Sequence, residues 1–104
     1  MKQYKLLVYS NFTPGKEAEY NRWYDEVHLP EVLDVPGFKA ASRYKLAPET
    51  AEGATHGYCA IYELESDNLA ATLGELGARA GDGRMNMSDA IDLATVDMRA
   101  WEAR

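Results

Sequence analysis

A single cysteine, two histidines and a shortage of basic residues set the first limits on this chain of 104 residues. With Cys59 alone, no intrachain disulfide can form and one chain cannot assemble a cysteine metal site, so a reducing, intracellular compartment is expected. Eleven basic residues against 17 acidic ones leave a formal charge of -6, which repels phosphate backbones and anionic lipid. Neither nucleic acid nor membrane is expected as a partner. Long hydrophobic runs are missing too. The apolar part of "MKQYKLLVYSNF" is broken by Lys5, is too short to span a bilayer and lacks a small-residue cleavage site, so a cytoplasmic protein is expected. No Gly-rich phosphate loop, nucleophile elbow or nicotinamide fingerprint occurs, and the two histidines have no cysteine or carboxylate at ligand spacing. No metal and no organic cofactor is therefore expected.

What is present is an ordinary globular composition, 46% hydrophobic and 27% charged, in a length that suits one domain covering residues 1–104. Gln3 to Ser10, rich in Tyr, Leu and Val, reads as a strand ended by "NFTPG". Thr13 as N-cap and Pro14 in the first helical position then open a helix that runs to about His28, because Pro30 biases the residue before it out of helical geometry. After the turn Val35-Pro36-Gly37, residues Phe38 to Leu46 alternate. Phe38, Ala40, Ser42, Tyr44 and Leu46 fall on one face, with Lys39, Ala41, Arg43 and Lys45 on the other. "YCAIYELE" is the third strand. Ser66 opens a second helix with Leu69, Leu73 and Leu76 on one stripe, and Ile91 to Trp101 closes the order β-α-β-β-α-β.

That order points to an α+β, ferredoxin-like βαββαβ fold, with a four-stranded antiparallel sheet and both helices on one face. Apolar residues of both parities occupy the strands, as with Tyr58 and Tyr62 against Cys59 and Ile61. The helix-free face should then not stay in water, and a second copy of the chain is the simplest cover, giving a twofold homodimer.

The densest chemistry lies in "NRWYDEVHLPEVL". Tyr20, Trp23, Tyr24, Val27 and His28 fall at i, i+3, i+4, i+7 and i+8 and so share one stripe. His28 at a helix C-terminus would sit among carbonyl oxygens that favour its protonated form, beside a tyrosine hydroxyl one turn back, where it could move protons near neutral pH. Asp25 and Glu26 read as a solvated face. Arg43 and Asp97, within alternating strands, are candidates to face the interior. Met85 and Met87 could form an apolar lid, and His56 reads as a solvated loop residue.

The run "YNRWYDEVHLPEVLDVPGFKAASRY" resembles the dimeric α/β-barrel superfamily, and specifically its EthD-like branch. The resemblance covers the whole chain in length and element order, and its specific part is Trp23 through Tyr44. It implies a pocket between the sheet and the first helix and makes His28 the acid/base candidate. The superfamily includes cofactor-free oxygenases, cyclases, isomerases, dehydratases and haem-degrading proteins, so the resemblance does not choose a reaction. The reading is a cofactor-independent enzyme of the lyase, isomerase or oxygenase kind, acting on a small hydrophobic, aromatic or polyketide-like molecule. His28 and Tyr24 are its catalytic residues, and Tyr20, Trp23, Arg43, Tyr44 and Asp97 its substrate-binding set. A non-catalytic binding or accessory protein, and a haem-binding protein with His28 as axial ligand, are the alternatives.

Overall fold

The computed structural model describes residues 1–104. Its elements are β1 (Lys2–Phe12), a helical rod made of α1 (Glu17–Trp23), a π-helical stretch (Tyr24–His28) and α2 (Leu29–Leu33), then β2 (Phe38–Lys45), β3 (Tyr58–Ser66), α3 (Leu69–Gly81) and β4 (Ile91–Glu102). All paired strands are antiparallel and the sheet order is β2-β3-β1-β4. This is the α+β, ferredoxin-like arrangement that the element order calls for. No helix is long and apolar enough to cross a membrane.

The core forms where the helices meet one sheet face. Leu6, Ala60, Tyr62 and Leu64 rise from the two central strands against Tyr20, Tyr24, Val32 and Leu76 of the helices. Among the largest fully buried side chains, three are tyrosines. A buried phenol is costly unless its hydroxyl is paired, and Tyr20 meets that cost by bonding to the buried Ser10 hydroxyl at 2.7 Å.

Three local expectations are revised. Thr13 does not cap the first helix: its hydroxyl donates to the Asp89 carbonyl and its N–H to the Ala90 carbonyl, each at 2.7 Å, tying the end of β1 to the approach to β4. The helix starts at Glu17 without a side-chain cap. Nor does it stop before Pro30. In α geometry the proline ring would press on the Glu26 carbonyl and leave it without a donor. The turn widens instead, so that the Leu29 N–H reaches back five residues to the Tyr24 carbonyl, and Pro30 lies in the first turn of α2. His28 thus sits inside a continuous rod, away from any helix end. Third, Asn68 rather than Ser66 caps α3, its side chain accepting from the Ala71 N–H at 3.1 Å.

The parity of β2 also changes. A bulge between Phe38 and Ala40 lets Phe38 pair with Leu64 and Ala41 with Tyr62, which puts Phe38, Ala41 and Arg43 on the helix side together. Ser42 and Tyr44 face the other way. The bulge follows Gly37, which adopts φ +101 and accepts the Glu65 N–H at 2.9 Å. A Cβ at this position would lie 2.7 Å from the Glu65 carbonyl oxygen, so only glycine lets β2 enter the sheet in this register.

Candidate functional site

Between the helical rod, α3 and the irregular half of β4 lies a cavity of about 160 Å³, lined by Val8, Tyr24, His28, Val32, Tyr62, Leu76, Gly77, Ala80, Met87, Ile91, Leu93, Val96 and Met98. β4 makes room for it: Asn11 pairs with Asp92 and Tyr9 with Asp97, so the segment between slips out of register and bows away from β1. Larger grooves of about 360 and 280 Å³ lie on the strands' helix-free side and ends. The larger is lined by the charged side chains of Lys5, Lys39, Glu63 and Glu65. The smaller cavity combines apolar walls with a few convergent polar groups, the usual character of a ligand site.

His28 stacks on the Trp23 ring at 4.6 Å between centroids and meets the Tyr24 ring edge-on at 5.1 Å. Its Nδ1 is buried without a hydrogen-bond partner. Burial pushes its pKa down to about 4, only partly opposed by the Glu31 carboxylate. The imidazole is therefore neutral at pH 7, a base rather than the protonated group that a helix terminus would have favoured.

Behind His28 the phenols of Tyr24 and Tyr62 are buried. Burial pushes the pKa of the Tyr24 phenol up to about 12, and Tyr62 is raised further by the same cause. Both stay protonated at neutral pH and so keep an O–H that can donate. Arg43 lies behind this group, its guanidinium 4.4 Å from the Tyr24 ring centre, 5.1 Å from Tyr20 and 5.2 Å from Tyr58. Its ends donate to Asp25 Oδ1 and Asn21 Oδ1, each at 2.9 Å, while Nε is buried without a partner. Asp25 is thus more than a wet helix face, since it neutralises a cation whose side chain is only 10% exposed. Tyr58 completes the cluster by donating to Glu17 at 2.7 Å and accepting from Asn21.

Of the residues singled out in the sequence, His28 and Tyr24 reach the cavity, and Tyr20, Trp23 and Arg43 support its wall. Tyr44 and Asp97 do not join them. Tyr44 pairs across the sheet with Cys59 and is exposed on the helix-free face, and Asp97 faces the same way, bonded to Arg99 at 3.1 Å. Trp23 also anchors a loop. Its indole N–H donates to the Asn86 carbonyl at 2.6 Å, while the Glu31 carboxylate accepts from the Asn86 N–H at 2.9 Å. The segment before β4 is held at both points, with Met85 buried beneath it and Met87 at the cavity. His56 is a tether, bonding the Thr95 carbonyl at 2.7 Å. Tyr62 and Ser10 are not among the sequence candidates; β3 alternation places Tyr62 with Ala60 and Leu64 on the buried face, the signal that could have found it. No three His, Cys, Asp or Glu side chains gather to hold a metal ion.

A family model described as a domain of unknown function, DUF4286, matches residues 3–73. No curated protein matches the chain. Among solved structures, a candidate monooxygenase from Shewanella loihica PV-4 is 15% identical with a TM-score of 0.62, covering 100% of this chain and 97% of that one. An EthD family protein from Bacillus halodurans C-125 is 12% identical, with a TM-score of 0.56 and 100% of both chains covered. A protein of unknown function from Nitrosomonas europaea is 17% identical, with a TM-score of 0.58 over 99% of this chain and 90% of that one. At such identities the likeness is one of fold, which hosts many chemistries.

Proposed function

We propose a function from the site itself, because this chain belongs to a family, DUF4286, whose description assigns none. The protein takes a small hydrophobic molecule, aromatic or polyketide-like, into the cavity and moves a proton on it without a cofactor. A C–H beside a carbonyl gives its proton to the neutral imidazole of His28. The electron pair left behind shifts through the new C=C bond onto the carbonyl oxygen, where a wall phenol donates a hydrogen bond to the enolate. Return of the proton elsewhere isomerises the molecule, and loss of a β-hydroxyl as water dehydrates it. The same enolate suits cyclisation, retro-aldol cleavage or cofactor-free oxygenation, and the EthD-like kinship read from Trp23 through Tyr44 agrees with a site of this kind.

The observation that carries this reading is that His28, with an unpaired ring nitrogen, and Tyr24 pack edge-on and both line an otherwise apolar cavity. Gly77 offers the test. A Cβ there meets nothing within 4 Å, so Gly77→Phe projects a ring toward the cavity without disturbing the backbone of α3. Binding of small aromatics and turnover should both disappear while the far-UV spectrum is kept. Retention of either would refute the location.

A non-catalytic binder is the second reading, favoured by the low basicity of His28. A rate that follows His28 ionisation distinguishes the two. Haem with His28 as axial ligand does not fit: about 160 Å³ lies below even the roughly 300 Å³ lower end of drug-sized clefts.

The functional unit is proposed to be a homodimer. Leu7, Ile61, Tyr9, Tyr44 and Trp101 face away from the helices, and the last three are exposed. Leu7→Asp, at the centre of that face, is expected to turn a dimer into a monomer in sedimentation. A wild-type chain that sediments as a monomer at every concentration would exclude it.

A further inference from the structure

The wall of the cavity is divided by depth. Its three polar side chains, His28, Tyr24 and Tyr62, come from the helical rod and the middle of β3. Tyr24 and Tyr62 are fully buried and so belong to its floor, and His28 packs edge-on against Tyr24. The side formed by α3, the segment before β4 and the bowed part of β4 brings only apolar residues. Met87, Leu93, Val96 and Met98 stand exposed there, Leu93 at 65%, and Gly77 completes the rim. Four large apolar side chains left in water around one opening exceed what scattered surface exposure explains.

A change along α3 opens this rim. The apolar stripe runs through Leu69, Leu73 and Leu76 and then reaches Gly77 and Ala80, so the helix lays no large side chain over the mouth. Glycine inside a helix weakens it, and no close approach calls for one here, since a Cβ at Gly77 meets nothing within 4 Å. The same wall discriminates by charge. No lysine or arginine lines it, and Arg43 lies behind Tyr24 with its ends on Asp25 and Asn21. Burial keeps His28 neutral, Glu31 sets a negative charge beside it, and the chain carries a net charge of -6. An ionised carboxylate entering here would lose its water and meet no counter-ion, whereas a carbonyl loses far less.

We propose, building on the ligand site argued under Proposed function, that the cavity takes its ligand head first. An uncharged carbonyl head goes to the wall of His28 and Tyr24, and the apolar body lies outward along the rim of Gly77, Met87, Leu93 and Met98. Carboxylic acids of the same shape are rejected. Leu93 and Met98 are then specificity-determining residues that favour a ligand with an apolar tail, and the open rim accommodates a molecule longer than the cavity of about 160 Å³.

The probes are acetophenone, 4′-butylacetophenone and 4-butylbenzoate, which share a ring and differ in tail or head. In calorimetric titrations of the wild-type chain at pH 7, the butyl ketone should bind at least roughly tenfold tighter than acetophenone, because each buried methylene is worth about fourfold in affinity and the tail is partly covered. 4-Butylbenzoate should bind at least roughly tenfold more weakly than the butyl ketone. Leu93→Ser should remove most of the butyl gain and leave acetophenone unchanged. Met98→Ser should act in the same way, and it carries the test should Leu93→Ser not fold. His28→Ala should weaken both ketones by the same factor, roughly threefold to tenfold, the scale of a neutral hydrogen bond, and leave the butyl gain intact. Benzoate binding as tight as that of the ketone overturns the uncharged head. A butyl gain that is absent in wild type or survives both serine variants overturns the outward tail. Each of these results leaves the cavity reading standing. If acetophenone itself does not bind, the cavity reading falls and the orientation with it.

Discussion

His28→Ala is expected to lower kcat/KM by roughly 10²- to 10⁴-fold on whichever enolisable or phenolic compound the wild type turns over, the usual contribution of a positioned acid–base group. The pH profile makes the prediction specific. The base form is the active one, and because burial holds its pKa at about 4, wild-type activity should persist through pH 6 and fall only as pH 4 is approached. A histidine at a helix end would have put that limb at or above the ordinary histidine range. Stability follows the same ionisation. Between an unfolded pKa near 6.5 and a folded one near 4, the unfolded chain binds more protons, so stability present at pH 7 is lost as pH falls through that window. The loss amounts to about 3 kcal/mol once pH is below both values, at 1.36 kcal/mol per unit. Denaturant midpoints of wild type and His28→Ala should diverge in this sense at pH 7 and converge toward pH 4. A variant with unchanged kcat/KM removes His28 from the chemistry, whatever its stability.

Gly37→Ala is expected to cost the fold about 3 kcal/mol, combining left-handed backbone strain with a Cβ pressed against a carbonyl. Neither part can relax cheaply, because the opposing atom is the Glu65 main-chain oxygen at 2.7 Å rather than a mobile side chain. In a domain of this size the melting temperature should drop by roughly 15 °C. Gly77→Ala, with nothing within 4 Å of its added carbon and a helical backbone, is the control and should gain about 0.5–1 kcal/mol. The effect reaches function through register. Gly37 and the bulge after it bring Arg43 to the helix side, behind Tyr24, so a slipped β2 would send the cation to the other face. A melting temperature within a few degrees of wild type would show that β2 enters the sheet some other way.

Element order and the helix 1 stripe are legible in the residues because both rest on local periodicity. Tyr20, Trp23, Tyr24 and His28 do turn inward together, and Leu76 does seat α3 on the core. What misleads is local as well: Pro30 reads as a stop, yet one widened turn lets the rod continue and moves His28 away from the terminal carbonyls. Strand parity is legible only until the first irregularity. One bulged residue moves Arg43 inward and leaves Tyr44 outside, and the slipped register of β4 opens the cavity while Asp97 stays on the far face. Ser10 is illegible because nothing in a strand sequence says that its hydroxyl meets the Tyr20 phenol of the first helix. Such convergence belongs to tertiary packing.

The central claim is that His28 is a buried, neutral base at the wall of a ligand cavity, and the ring nitrogens of the two histidines, His28 and His56, can be followed directly by NMR in imidazole-labelled protein. A pH titration with and without 4-nitrophenol should show His28 protonating near pH 4 and its nitrogens shifting when the probe binds, with His56 unmoved by it. A His28 that titrates in the ordinary histidine range, with nitrogens indifferent to every small aromatic added, would contradict the account.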